Sequence, residues 1–294
     1  MKLKDLGKLL QITFKEWNAK DPFRQSAVIA YYAIFSIPGL LVLIVTITGY
    51  FFGKEAVNQN IMAQISSTMG SDTATQIQEM LTKAGESKTT IWGSIVGLLV
   101  LLVGATGVFV ELQKTLNTIW HVEVAPQEGI LPILKARLFS FGLILAIAFL
   151  LIISLVVSTG LAAMSDLVKG NTSEITIFIF NVLNFVFSLV VISLLFAAMF
   201  KILPDAKIEW KHVWLGSLLT GLLFTIGKTA LALYFSKAEP ASVYGAAGSV
   251  ILILLWVSYS SMILFFGAEF TAAYTKMYAG EVPPSPIAKA EKHA

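Results

Sequence analysis

Glu269 stands in "LFFGAEFTAAY", at the end of a run from Pro240 to Ala268 that holds no charged side chain. A charged group within a bilayer is costly, so a carboxylate closing such a run is either an anchor at the membrane edge or part of a working site. Two other residues have comparable settings. Glu111 closes an apolar run that begins at Ile91, and Arg24 precedes one that begins near Ala27. At about 1.5 Å of rise per residue, Glu111 lies ~30 Å along its helix, and Glu269, well beyond Val243, reaches the corresponding end of its own. The three therefore share one depth. An arginine between two carboxylates there would be charge-assisted and geometrically specific. The plainer reading is that each residue finishes its helix at the interface, and the sequence leaves both open.

Further polar groups lie deeper. Lys228 falls within an apolar run, about 12 Å from its end by the same rise. It either snorkels outward on its long stem or serves a substrate or counter-ion. The stretch "AYYAIFSIPGLL" places Pro38 in a helical run, where it cannot donate to the carbonyl of Ile34. A kink there would leave an acceptor free beside Tyr31, Tyr32 and Ser36, as in discontinuous transporter helices. A neighbouring helix that satisfies the kink is the alternative. Ser258 and Glu269, 11 residues apart, fall on one helical face together with Met262. Small-residue pairs such as Gly49 and Gly53, Gly93 and Gly97, and Ser217 and Gly221 read as sites of close helix packing.

Membrane-spanning helices must position these residues. Of the 294 residues, 56% are hydrophobic and 13% charged, against about 25% charged in a soluble domain. The mean hydropathy is +0.77. About 20 apolar residues cross a bilayer, and six segments qualify: 27–52, 91–110, 139–163, 175–202, 213–235 and 243–273. The fold class expected is an all-α membrane protein of six transmembrane helices. With both termini cytoplasmic, fifteen of the 21 Lys and Arg fall on the inner side and five on the outer, as the positive-inside rule requires. Residues 1–20 read as an interfacial amphipathic helix, with Leu3, Leu6, Leu10, Thr13, Phe14 and Trp17 near one face. Asp21 is then expected as N-cap and Pro22 as first helical residue of a transmembrane domain over 21–276. Within it, 54–90 reads as an outer amphipathic segment. The tail, 277–294, is expected to be disordered. The first apolar run is too long for a signal peptide and no small-residue cleavage site follows it.

Several classes find little support. The chain has no cysteine, which removes disulfides and thiolate chemistry. Its histidines, His121, His212 and His293, are spread over three segments and do not read as a metal site. No P-loop or nucleophile elbow is present. The lysines do not form an aromatic-interleaved platform for nucleic acid. We expect no enzyme, cofactor or metal, and no nucleic acid partner.

Four stretches carry a resemblance: "AVIAYYAIFSIPGLLVL", "GATGVFVELQKTLNTIWHVE", "LPDAKIEWKHVWLGSLLTG" and "YGAAGSVILILLWVSYSSMILFFGAEFTAAY". Together the chain resembles the YihY / virulence factor BrkB family of bacterial inner-membrane proteins, once labelled ribonuclease BN. The resemblance runs from about residue 20 to residue 276. It implies six spans with both termini inside, and a bacterial inner-membrane location. It adds Gln113 and Asn117 to the polar candidates and marks Tyr31, Tyr32, Pro38, Glu111 and Glu269 again. "WVSYS" departs from it, since a second aromatic after Val257 would be more usual. The expected function is a transporter or flippase-like carrier for a lipid, amphiphile or small polar or ionic solute, with no ATPase motif of its own. The alternative is a non-transporting scaffold in envelope assembly. A membrane ribonuclease is disfavoured by the lack of metal-ligand spacing. Membrane lipids are the expected partners, and the oligomeric state is left open.

Overall fold

A computed structural model of the chain describes residues 3–69, 71, 74, 75, 77–79, 82, 91–124, 174–238, 248–285 and 288–290. The elements are almost all helical: α1 (Leu3–Ala19), α2 (Pro22–Phe52), α3 (Lys54–Met69), α4 (Ile91–Ile119), α5 (Glu174–Ile202), α6 (Trp210–Ala238) and α7 (Gly248–Ala279). Two short strands, β1 (Val122–Val124) and β2 (Ala288–Ala290), complete them. Among the described residues, Phe178–Ile202, Trp210–Phe235 and Val250–Ala279 are long and apolar enough to cross a membrane. Helices α2 and α4 run for 31 and 29 residues over the first two segments expected to span. The segment 139–163 lies outside the described residues.

The chain divides into two compact units. One comprises Met1–Glu16, Leu116–Leu223 and Phe266–Ala294; the other comprises Trp17–Thr115 and Phe224–Phe265.

In the second unit, Lys20 and Asp21 make the turn from α1 to α2. Asp21 does so with φ 49° and ψ 59°, a left-handed conformation that Asp tolerates better than most residues. Asp21 stands at the N-cap position of α2 as expected, but its side chain makes no capping hydrogen bond. Its carbonyl accepts from the Gln25 amide at 3.1 Å, and its carboxylate lies 3.9 Å from Arg24 Nε. Pro22 opens the helix as expected. Helix α2 remains helical through Pro38 and ends at Gly53, whose φ of 84° suits a residue without Cβ. Gly49 and Gly53 thus serve a helix end, where the Gly53 amide bonds the Gly49 carbonyl. The close approach to α4 occurs elsewhere. A Cβ on Gly104 would lie 3.1 Å from the Tyr32 carbonyl oxygen and 3.2 Å from Ser36 Cβ, and one on Gly107 would strike the Tyr32 ring.

The first unit is organised by α6 against α7. Gly216 of α6 faces Thr271 of α7, and Gly267 of α7 faces Thr220 of α6. Each helix thus contributes a glycine and, four residues on, a threonine. The antiparallel pair interlocks them reciprocally. Each threonine hydroxyl donates to the glycine carbonyl of its own helix, at 2.6 Å for Thr220 to Gly216 and 2.7 Å for Thr271 to Gly267. The hydroxyls are satisfied without water, which an apolar surrounding demands. Dispersion across the close backbone approach supplies the attraction, since lipid offers no hydrophobic drive between helices. Val213 and Ser217 are fully buried on this side of α6. The opposite side is an i, i+4 stripe of exposed Trp210, Trp214, Leu218 and Leu222, which suits contact with lipid. Ser217 and Gly221, expected from sequence as a packing pair, are used against α5, where Gly221 meets Ser193.

A Cβ on Gly216 would lie 2.9 Å from Thr271 Cβ, and one on Gly267 would lie 2.8 Å from Thr220 Cβ. Gly216→Val and Gly267→Val should each destabilise the fold by about 1–3 kcal/mol through overpacking. Thr220→Ser and Thr271→Ser keep the hydroxyl and should cost less. Thermal unfolding of the purified variants in detergent separates the two pairs.

Candidate functional site

Glu269 is 3% exposed. At about 100° of rotation per residue, Gly267 and Thr271 lie on one side of α7 and Glu269 on the opposite side. The carboxylate is therefore buried without taking part in the α6–α7 interlock. Ser258 and Met262 share its side of the helix, and Ser258 is half-buried.

Among the other sequence candidates, Arg24, Tyr31, Tyr32, Ser36, Pro38, Glu111, Gln113, Lys228 and Ser258 belong to the second unit, and Asn117 and Glu269 to the first. The Arg24 side chain is 76% exposed and its ion pair is with Asp21. Such exposed pairs are worth about 1 kcal/mol at most. Glu111 and Gln113 are half-buried on α4, and Lys228 is half-buried on α6. The Tyr32 ring fills the space that Gly107 leaves. Tyr31 is exposed, with its ring set edge-on to Tyr32 and Phe35. Ser36 is buried and donates to the Ala33 carbonyl at 3.1 Å. Beside Lys228, Gly227 leaves room for Tyr259, whose hydroxyl end occupies the place a Cβ would take.

The most specific polar geometry in the first unit surrounds Asn117, at the end of α4. Its amide Nδ2 donates to Asp205 Oδ2 at 2.8 Å, and its Oδ1 accepts from the Asp205 backbone amide at 2.7 Å. The sequence alone does not mark Asp205, although "LPDAKIEW" sets it after a proline between two helices. The same connection holds the segment that follows α7. The Lys207 amide donates to the Pro283 carbonyl and the Ser285 amide to the Asp205 carbonyl, both at 2.9 Å. Ala206 pairs with Pro284 as an isolated bridge. Beyond it β2 pairs antiparallel with β1, Val122 opposite Ala290 and Val124 opposite Ala288.

The expectation of a disordered tail from residue 277 is thereby corrected for the described residues. Helix α7 continues to Ala279, Gly280 turns the chain at φ 89°, and backbone pairing ties 283–285 and 288–290. Composition alone does not reveal partners supplied by distant segments.

The connection is completed by Lys201, whose Nζ donates to the Ile208 carbonyl. Lys211 lies 2.6 Å from Glu209. Its hydrogen bond and charge hold the Glu209 carboxyl below the usual carboxylate range. What that pair contributes is present above the ordinary carboxylate pKa and fades as pH falls through the lowered one. Among the described residues, no group of three His, Asp or Glu is placed to hold a metal ion.

Comparison with known proteins adds the following. The family model described as Virulence factor BrkB matches residues 13–292. A UPF0761 membrane protein of Verminephrobacter eiseniae is 29% identical over 217 residues, covering 74% of this chain and 49% of the relative. One of Saccharophagus degradans is 27% identical over 267 residues, 90% of this chain and 59% of the relative. One of Alteromonas mediterranea is 25% identical over 246 residues, covering 83% and 80%. The chain spans about half the length of the first two curated relatives. No solved structure matches it.

Asn117→Ala removes both bonds to Asp205, one of them to a carboxylate. It should cost about 1.5–3 kcal/mol and speed protease cleavage after residue 280. Asn117→Asp sets one carboxylate against another and should cost at least as much. Thermal unfolding and timed proteolysis read the two effects.

Proposed function

The chain belongs to the virulence factor BrkB family of membrane proteins, and on that footing we propose that it is a carrier, a transporter or flippase for a lipid, amphiphile or small polar or ionic solute. One observation supports this reading most. A carboxylate that is 3% exposed sits in a helix apolar enough to span, on the side away from the helix crossing that holds the fold. Burying a carboxylate is expensive, and a charged group in such a helix is a functional candidate by default. Glu111 on α4 and Lys228 on α6, both half-buried, are the further candidates. In this reading the chain has six spans with both termini cytoplasmic in the bacterial inner membrane. The lysine and arginine distribution favours that orientation. An ion gradient or downhill movement would drive the carrier, since the sequence has no P-loop.

A second reading, a scaffold that binds envelope-assembly partners, has its own support. The reciprocal Gly/Thr interlock and the Asn117–Asp205 pair are devices of rigidity. In a scaffold, Glu269 would serve only to fix its helix.

Reconstitution separates the two. Purified protein in liposomes should move labelled lipid or ions under at least one gradient. Glu269→Gln should abolish that movement, at least tenfold, while its unfolding temperature stays within a few degrees of the parent. If Glu269→Gln instead lowers the unfolding temperature and no gradient yields movement in the parent, the scaffold reading prevails.

A further inference from the structure

Lys228 lies within the span Trp210–Phe235 of α6, and the residues around it fix the side of the helix on which it stands. Leu222, Ile226 and Leu233 form the exposed apolar side of this part of α6. At about 100° of rotation per residue, Lys228 stands roughly 120–160° away from all three. It shares its side with Phe224, one turn before, and with the buried Phe235, two turns after. The half-buried lysine is thus turned away from the exposed apolar side of its own helix.

Helix α7 brings two hydroxyls to the same place. The Tyr259 ring fills the notch at Gly227, where a Cβ would strike the hydroxyl and lie 2.6 Å from Cε1. Adjacent Cα atoms are ~3.8 Å apart, so the phenol and the Lys228 stem begin side by side. Trp256, one turn before Tyr259, sets its ring edge-on to Phe224 with centroids 6.1 Å apart, which identifies the side of α7 that faces α6. Ser260 falls within about 40° of Trp256 on that side. Its Oγ is buried with no hydrogen-bond partner, whereas the buried hydroxyls of Thr220 and Thr271 bond back to their own helices. Among the described residues, no carboxylate pairs with Lys228 and no group hydrogen-bonds the Tyr259 hydroxyl.

An ammonium without a counter-charge is costly in an apolar span, and so is a buried hydroxyl without a partner. One kind of ligand answers all three groups. We propose that Lys228, Tyr259 and Ser260 bind an oxyanion of the phosphate type, free or carried on a lipid headgroup. The ammonium supplies the charge, and the two O–H groups donate to the oxygens. A phosphate has oxygens enough for three separate donors, where a carboxylate has two. The Phe224–Trp256 pair borders the site with apolar surface, and a low local dielectric strengthens each bond. The site is separate from Glu269. In naming an anion as cargo the inference rests on the carrier reading, so its test reads binding and not movement.

The full chain is placed in phosphatidylcholine nanodiscs. Its unfolding temperature is followed against inorganic phosphate and, in separate discs, against a rising fraction of phosphatidylglycerol. At least one probe should raise it with a saturable dependence. Lys228→Met should raise the half-saturating level about tenfold or more, the worth of one bond to a charged group. It should not lower the unfolding temperature in probe-free discs, because it removes a charge that has no partner. Lys228→Arg should retain the response. Tyr259→Phe keeps the ring in the Gly227 notch and should weaken binding about threefold. A response to phosphate assigns the site to soluble anions, and a response to phosphatidylglycerol alone assigns it to headgroups; either supports it. A response that Lys228→Met leaves unchanged overturns the proposal, since the anion then binds elsewhere. So does the lack of a saturable response to both probes, or a loss of probe-free stability in Lys228→Met, which would mark the lysine as already satisfied. A chain that binds the probe yet moves nothing in liposomes sinks the carrier reading and leaves the site standing.

Discussion

An apolar medium gives helices no hydrophobic reason to associate, and the α6–α7 interlock answers that constraint. Gly216 against Thr271 and Thr220 against Gly267 bring two backbones within reach of dispersion. The threonine hydroxyls would be unpaired liabilities in such a contact. Bonding back to Gly216 and Gly267 removes the penalty, and the Thr275 hydroxyl repeats the device on the Thr271 carbonyl at 2.7 Å. Because the interlock occupies one side of α7, the other side is released from packing against α6. Glu269 is buried on that other side.

The same economy appears where chain segments meet outside the apolar helices. Asn117 offers a donor and an acceptor, and Asp205 supplies the complementary pair from its carboxylate and backbone amide. One side chain thereby fixes the end of α4 to the connection between α5 and α6. That connection in turn offers Lys207 N–H and the Asp205 carbonyl to the segment beyond α7. The two bonds are part-buried and one of them ends on a carboxylate, the kind of hydrogen bond that contributes most.

Helix α1 shows how burial redistributes a pattern that looks uniform. Its apolar residues cluster near one face, but Leu9 and Thr13 are fully buried while Leu10 and Phe14 are exposed. The basic residues then border the exposed part.

Much of this was legible in the residues. Apolar runs of 20 or more residues, interrupted by few charges, dictate long helices, because only a helix pairs all its backbone groups internally in lipid. The helices α2, α4, α5, α6 and α7 follow from those runs, and Pro22 at the start of α2 follows from its fixed φ. The family was legible as well, from four extended stretches. Tertiary structure decided what periodicity cannot carry. It added Gly216, Gly104 and Gly107 as points of contact, and of the small-residue pairs the sequence offers it uses Gly221, against Ser193. It gave the N-cap residue Asp21 a left-handed conformation without a side-chain capping bond, paired Arg24 with Asp21, and joined Asn117 to Asp205 across 88 residues. It also tied a polar tail into a strand. The physical reason is common to all of these: a sequence fixes which groups need partners, while only the packed chain determines which partner comes within bonding distance.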